Sequence, residues 1–525
     1  MLDHILKYYH TLKYLKWIQI RYQLWYRLTS IIPFFNNFKK QKIQIAKAND
    51  LVFDGFISSP TTWYGDDQYQ FLNIRHQFEN GVDWNYSAHG KLWTYNLNYF
   101  DFLEQAHISK FEGLALIYSF IGNEKNIKDG MESFPISLRM IFWTKFLIKN
   151  KIKDHQVEHS MYRQLQRLSS KPEYHLMGNH LLENGFGLLF GGVFFKDKKM
   201  LAQADEIITK QLREQILLDG AHFELSPMYH QIMLYRILDS INLLQNNPNA
   251  STSDLLKTLQ AQASLMLGWM KNITFTSGDM PCINDSTNGI APKVKTLFDY
   301  AKHLQIDINQ KPLSDSGYRI FSNEKIEVLM DVGKIGPDYI PGHAHSDTFN
   351  FILQYRNAPF IVDTGISTYE KNERRNLERS TASHNTVMID EKEQSEIWGG
   401  FRVGRRAKVS IIEETKSTIS ATHDGYKKIG CQHQRTFSLK ENQFQIDDLI
   451  TGGGACVAFI HFHPDVKVVL ENQKIIGTFG EIEFDGSEVI SLDNYLFAEG
   501  FNQTKKALKV KVTFKNNLHT NINFL

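Results

Sequence analysis

Gly342-His343-Ala344-His345-Ser346-Asp347 separates two strand-like runs, Ile326-Glu327-Val328-Leu329-Met330-Asp331-Val332-Gly333 before it and Phe349-Asn350-Phe351-Ile352-Leu353 after it. A third run, Phe360-Ile361-Val362-Asp363-Thr364-Gly365, follows. A polar insertion, Ser380-Thr381-Ala382-Ser383-His384-Asn385-Thr386, then leads into Val387-Met388-Ile389-Asp390. Strand ends therefore present His345, Asp363 and His384, and the loop adds His343. Two imidazoles and a carboxylate form a donor set suited to Zn²⁺, with a fourth position left for water or a backbone oxygen. Taken singly, histidines at strand ends are more often hydrogen-bonded structural groups. The metal reading needs a second polar cluster elsewhere in the chain.

Outward from this stretch the period of the sequence changes. After about residue 315 it is two, as in Gln443-Phe444-Gln445-Ile446-Asp447 and Gly480-Glu481-Ile482-Glu483-Phe484-Asp485-Gly486, with Ala407-Lys408-Val409-Ser410-Ile411-Ile412 nearly alternating. Gly and Asp turns divide these runs, which predicts large antiparallel sheets in a sandwich. From about residue 105 to 305 apolar residues recur every three or four positions in 135–150, 155–168, 179–195, 197–217, 227–246 and 253–272. Breakers such as Ser169-Ser170-Lys171-Pro172 and Asn246-Asn247-Pro248-Asn249 separate them, predicting serial helix pairs in a toroid or solenoid. The expected architecture is a multidomain chain, α then β. Its parts are a basic aromatic N-terminal helix and linker over 1–60, an all-helical domain over 61–312 and an antiparallel β-sandwich over 313–525.

With 525 residues the chain is too long for one ordinary core. A net charge of +2 argues against a dedicated nucleic-acid binder while leaving room for a local basic groove. Three cysteines, Cys282, Cys431 and Cys456, make neither a disulfide framework nor a CxxC metal motif. No membrane-spanning run and no signal peptide are visible, since Lys7, Lys13, Lys16, Arg21 and Arg27 interrupt residues 1–35. The expectation is a cytoplasmic or inner-membrane-peripheral protein, with a periplasmic one as the alternative. Tyr8, Tyr9, Tyr14, Trp17, Tyr22, Trp25 and Tyr26 interleave with the cations, as in an interfacial helix. A helix docked on the protein's own body gives the same pattern. Residues 36–60, with Lys39, Lys40, Lys42 and Lys47, read as linker.

The second cluster lies in the helical half. Tyr174-His175-Leu176-Met177-Gly178-Asn179-His180-Leu181-Leu182-Glu183-Asn184 opens a helix with Asn179 and His180 at its polar end. Glu183 follows one turn later, close enough to hold the imidazole of His180 in one tautomer. Asp219-Gly220-Ala221-His222-Phe223-Glu224-Leu225-Ser226-Pro227-Met228-Tyr229-His230 places Tyr229 just inside the next helix, after a Ser-Pro start. Upstream, Leu92 to Phe102 is dense in rings and amides. Asn96 and Asn98 there are suited to hydroxyls, and the rings to sugar faces. Asn284-Asp285-Ser286, and Trp398 with Arg402, Arg405 and Arg406, are candidates for an anionic subsite. His461 and His463 share a strand face.

Together these segments resemble the heparinase II/III-like polysaccharide lyases, a group that includes related alginate lyases. NHLLEN, DGAHFELSPMYH, GHAHSD, IVDTG and ERSTASHNTV keep their order from about residue 60 to the C-terminus. The resemblance implies an (α/α) toroid followed by an antiparallel β-sandwich with the cleft between them. It also implies β-elimination of an acidic, uronate-containing glycan; with no signal peptide visible, an enzyme of bacterial polysaccharide or exopolysaccharide production or turnover is the reading that fits. Asn179 and His180 would meet the substrate carboxylate, and Tyr229 would transfer the proton with His343 as its partner. His345, Asp363 and His384 would hold a largely structural divalent metal, usually zinc. Glu183, Asn96, Arg379 and His230 are placed with the substrate-binding groups. Alternatives are a uronyl C5-epimerase, which shares the proton abstraction, and a non-catalytic glycan-binding or assembly protein. A metal-dependent hydrolase would leave the helical-half cluster unexplained.

The chemistry agrees with the residues. Removing the C5 proton next to a charged carboxylate builds a doubly negative enolate, which donors or positive charge must stabilise. Asn179, His180 and Arg379 are candidates for that role. A phenol such as Tyr229 needs cationic neighbours to act as base. Either one phenol serves both proton transfers, or His343 takes the first proton and Tyr229 gives the second.

Overall fold

The computed structural model describes residues 2–31 and 51–525. Residues 32–50, with the lysine-rich part of the expected linker (36–50), lie outside the described residues. Before it come two helices, Leu2–Leu12 and Trp17–Ile31, where the sequence reading had one. A four-residue break at 13–16 divides them.

The helical half is built in two layers. Helices Lys91–Tyr99, Ser133–Lys149, Gly178–Phe195 and Pro227–Asn246 pack against one another in succession. Helices Lys110–Asn123, His155–Ser170, Lys198–Gln215 and Ser253–Ile273 back them from outside. The sequence explains the division. Ser133–Lys149, Gly178–Phe195 and Pro227–Asn246 are buried on nearly all sides. His155–Ser170 and Lys198–Gln215 bury only a stripe, at three- and four-residue spacing. The inner helices approach closely where side chains are absent. A Cβ on Gly187 would stand 2.7 Å from the Cα of Ser137. One small hairpin, Gln68–Phe71 with Ile74–Gln77, interrupts what the sequence reading took as all-helical.

The β half carries a four-stranded antiparallel sheet, Tyr318–Ser322, Ile326–Asp331, Phe351–Tyr355 and Ala358–Ile361. Facing it is a ten-stranded sheet whose centre pairs Gln443–Thr451 with the long strand Gln503–Phe524. Between them lies one core, in which Val328, Met330, Phe351 and Leu353 share contacts with Phe437, Phe444, Ile482 and Val512. Gln432–Leu439 alternates buried and less buried residues, as its period of two requires. Val409–Glu414 is an edge strand with mostly exposed residues, and only Val409 of it packs partly on the core.

A separate apolar cluster joins the halves: Ala221, Leu225, Trp269 and Phe275 meet Tyr318, Leu329 and Ile352. Asp219 Oδ2 accepts from the backbone N–H groups of Ser314 and Ser316 at 3.0 Å each. The Tyr318 hydroxyl donates to the Leu225 carbonyl at 2.6 Å. These contacts fix residues 219–230 against the β half.

Candidate active site

Three segments are laced together where the halves meet. Ser226 caps the helix Pro227–Asn246 by accepting from the Tyr229 N–H at 3.2 Å, with Pro227 at the first helical position. The Ser226 hydroxyl also donates to the Asp285 carbonyl at 2.8 Å. Asn284, with a φ of 52°, donates through Nδ2 to the Leu225 carbonyl and accepts the His345 N–H at 3.0 Å. The Asp285 N–H donates to the His343 carbonyl at 3.1 Å.

Asp285 is the hub. Its Oδ2 accepts from His343 Nδ1 and its Oδ1 from His345 Nε2, each at 2.8 Å. Arg375 grips both oxygens, at 2.5 and 2.7 Å. Burial would raise the carboxyl pKa, but Arg375 and the two histidine hydrogen bonds outweigh it and hold Asp285 well below the usual carboxylate range. The carboxylate is therefore ionised, and His343 keeps its proton on Nδ1.

The ring of His343 stacks on Tyr229 with centroids 3.9 Å apart. The Tyr229 hydroxyl lies 3.3 Å from that of Tyr369, whose ring packs edge-on against Phe401. Burial raises the Tyr229 pKa; Tyr369 opposes this, and the charges of Asp285 and Glu224 reinforce it. Tyr229 is a neutral phenol. Nε2 of His343 stands 3.6 Å from Glu224 Oε2. Glu224 in turn accepts from the backbone N–H of Asn179 at 3.2 Å and from its Nδ2 at 3.0 Å. That carboxylate satisfies an otherwise open N–H in the first turn of Gly178–Phe195, a helix with no side-chain cap of its own. Gly178, at φ 57°, leaves the space: a Cβ there would meet Glu224 Oε1 and Ile340 Cδ1 at 3.0 Å.

His180, one residue on, is about one-third exposed and faces Glu173, with Nδ1 3.4 Å from Oε1. Burial would lower its pKa, but the charge of Glu173 and their hydrogen bond raise it. Its ring also lies 4.5 Å from that of Phe134, which continues to Tyr99.

Thus Asn179, Tyr229 and His343 come together through Glu224 and Asp285, with His180 on the same helix end. Other expected groups lie elsewhere. Glu183 does not hold His180; it is buried against Arg236 at 3.2 Å, and Glu173 takes that role. His230 is fully buried, accepting from the His222 N–H and bonded to the Met266 carbonyl, and burial pushes its pKa down to about 3. Arg379 is buried with its guanidinium on the Ala344 carbonyl, so it shapes the loop before His345 and does not reach solvent. Asn96 turns its amide back to the Leu92 carbonyl of its own helix. Trp398, Arg402, Arg405 and Arg406 are engaged with protein partners, with Arg405 3.8 Å from Glu396. Trp398 donates to Thr11 at 3.2 Å, Arg402 stacks on Trp398, and Arg406 stacks on Tyr14 and pairs with Asp338.

His384 Nδ1 is bonded to Asp363 Oδ2 at 2.7 Å, and the His384 and His345 rings are 5.3 Å apart. Nδ1 of His345 and Nε2 of His384 are buried without a hydrogen-bond partner. Among the described residues no group of three or more His, Cys, Asp or Glu side chains is arranged to hold a metal ion. The three expected ligands form a hydrogen-bonded pair and a neighbour.

Five site residues were not singled out from the sequence for the parts they play: Glu173, Glu224, Asp285, Tyr369 and Arg375. Glu224 and Asp285 do lie within polar stretches flagged there. Their role depends on contacts across 45 and 58 residues of chain, which no local spacing encodes.

Two family models match contiguous parts of the chain: Heparinase II/III N-terminus over residues 133–306 and Heparinase II/III-like, C-terminal over 307–525. A heparin-sulfate lyase of Bacteroides stercoris is 26% identical over 250 residues, covering 42% of this chain and 36% of that protein. One of Pedobacter heparinus is 24% identical over 382 residues, covering 60% and 56%. The chain thus spans little more than half, at most, of the lengths of these relatives. Among solved structures, heparinase III superposes with a TM-score of 0.68 at 15% identity, covering 86% of this chain and 80% of that one. Heparan sulfate lyase HepC from Pedobacter heparinus gives 0.57 at 16%, covering 87% and 81%. Both likenesses concern the fold, a helical toroid followed by a β-sandwich. With both models matching end to end over three quarters of its length, the chain belongs to the heparinase II/III-like family.

Proposed function

We propose that the chain is a polysaccharide lyase that cleaves an acidic, uronate-containing glycan by β-elimination. The observation that carries this reading is the stack of His343 on Tyr229, with Asp285 behind the imidazole. In the reaction a base removes the C5 proton, its electron pair forms the C4–C5 double bond, and the C4–O bond breaks. The leaving oxygen then takes a proton. Asp285 keeps the His343 proton on Nδ1, so Nε2 offers a lone pair as base. Tyr229, held neutral by burial, donates to the leaving oxygen. The substrate carboxylate would sit against His180, whose protonated form Glu173 favours, and the positive end of the helix Gly178–Phe195. Tyr99 and Phe134 beside His180, and Tyr369 and Phe401 beside His343, would give sugar faces rings to stack on.

The names of the two relatives make a glycosaminoglycan the first substrate to test. A panel of heparan sulfate, chondroitin sulfate, alginate and hyaluronan is followed by the ultraviolet absorbance of the unsaturated uronate. Wild type should produce that signal, and Tyr229→Phe and His343→Ala should lose it by about 10²-fold or more while staying folded. Solvent deuterium entering C5 without absorbance would mean an epimerase. Tight binding with neither would mean a glycan-binding protein.

A structural divalent cation at His345, Asp363 and His384 belongs to the same proposal. It is supported by the donor types and by the two buried ring nitrogens that lack partners. When bound, it would neutralise Asp363 and tie together the loops that present His343 and His384.

A further inference from the structure

The N-terminal helix pair has two different faces. Its inner face is docked across the active-site walls. Gln19 Nε2 donates to the Leu176 carbonyl at 3.1 Å, the Tyr26 hydroxyl to the Pro172 carbonyl at 2.5 Å, and Tyr22 stacks on Tyr174. On the β side, Tyr8 packs on Trp398, whose indole N–H donates to Thr11, and Lys16 lies over Tyr339. The contacts of Gln19, Tyr22 and Tyr26 fall at three- and four-residue spacing and leave the opposite side of Trp17–Ile31 uncovered.

That outer side is apolar. Trp17 is 73% exposed, Leu24 54% and Leu28 56%, and Ile20 completes a stripe at 17, 20, 24 and 28, with Leu12 exposed on the preceding helix. Around the stripe the charge is mostly positive. Residues 2–31 carry five Lys and Arg (Lys7, Lys13, Lys16, Arg21 and Arg27) and one acid, Asp3, in a chain whose net charge is +2; Lys16 is paired with Glu214. No helix among the described residues is long and apolar enough to cross a membrane.

We infer that the outer face of these two helices docks on an anionic lipid bilayer, with the aliphatic and indole stripe entering the interface and the cations facing lipid headgroups. An apolar stripe flanked by cations, on a helix lying flat, is what such a surface selects. An acidic glycan would use the cations but has nothing to gain from Ile20, Leu24 and Leu28. Because the inner face grips the loop bearing Glu173 and the hairpin bearing Phe401, docking would place the cleft beside the bilayer.

The test is flotation of the full chain with vesicles of phosphatidylcholine alone or mixed with phosphatidylglycerol. A triple variant, Trp17→Ser, Leu24→Ser and Leu28→Ser, and the single variant Arg21→Glu are run beside wild type. Wild type should float with the mixed vesicles, weakly with phosphatidylcholine, and be released by salt. The triple variant should bind about tenfold less, with unchanged circular dichroism and unfolding temperature. Failure of wild type to float on the mixed vesicles would overturn the proposal, as would full retention by the triple variant. It would equally be overturned by a dimer in light scattering that the triple variant abolishes. Heparin binding without vesicles, lost in the same variant, would make the face a glycan subsite instead.

Discussion

His343 Nδ1 lies 2.8 Å from Asp285 Oδ2, and this one contact decides which nitrogen of the ring can act on substrate. Asp285→Asn tests it. An amide presenting its NH₂ to His343 cannot accept the Nδ1 proton, so the ring takes the other tautomer and Nε2 ceases to be a base. The expected result is a fall in kcat of about 10²–10⁴-fold, with a smaller change in KM. Arg375 would also lose its buried partner, at a cost of about 3–5 kcal/mol. Thermal unfolding must therefore be followed alongside, with activity referred to the folded fraction. A variant that folds and retains wild-type kcat would remove His343 from the role of base.

His180 and Glu173 set an alkaline limit. Burial works against the imidazolium, but Glu173 raises the His180 pKa above its ordinary value. If the cation meets the substrate carboxylate, kcat/KM falls as pH rises through that raised pKa. Glu173→Gln removes the charge that raises it, so the limb should move to lower pH. A pH profile of both proteins checks this. A limb that stays in place, or moves upward, would separate His180 from substrate binding.

How far the sequence foretold this arrangement varies with the range of the interaction. Ser226-Pro227 announces a helix start, and the structure has Ser226 capping Tyr229 three residues later. The helix from 227 to 246 and the alternation at 443–447 are likewise local patterns, and both elements form there. Tyr229 and His343, 114 positions apart, could be paired only through the family resemblance; their stacking follows from the packing of two domains. Glu183 shows the opposite failure. Its spacing from His180 suits a helical contact, yet Arg236 on the neighbouring inner helix offers a full charge and draws the carboxylate away. Arg379 and His230 sit within motif stretches but face inward, and a motif string carries no information about which side of its backbone meets the cleft.

Acid stability should depend on a cluster far from the cleft. Asp448 is buried between Arg435, at 2.7 Å, and His433, at 2.6 Å. Burial raises its pKa, but Arg435 and His433 together outweigh it and hold the carboxyl at about 2, against an ordinary 3.8. A depressed carboxylate pKa contributes stability that is fully present above the unfolded value and lost as pH falls through the folded one. The contribution is about 2 kcal/mol at neutral pH, vanishing between roughly pH 4 and pH 2. Urea unfolding of wild type and Asp448→Asn across pH 2–7 measures it. The stability gap between the two proteins should narrow on the acid side. A gap independent of pH would mean that packing, and not charge, is what Asp448 supplies.

The metal proposal turns on two nitrogens. A buried imidazole nitrogen without a partner is costly, and His345 Nδ1 and His384 Nε2 both stand so. Direct elemental analysis of protein purified without chelator should find roughly one zinc per chain if these rings and Asp363 hold a structural ion. His384→Gln and Asp363→Asn should each lose most of it. Chelation should lower the unfolding temperature of wild type toward that of the variants and leave theirs unchanged, because a ligand bound only by the folded state adds stability that its removal takes away. Protein free of metal, and indifferent to both chelator and added zinc, would leave His384 and Asp363 as a buried hydrogen-bonded pair joining two loops. The orphaned nitrogens would then be a local strain of the fold.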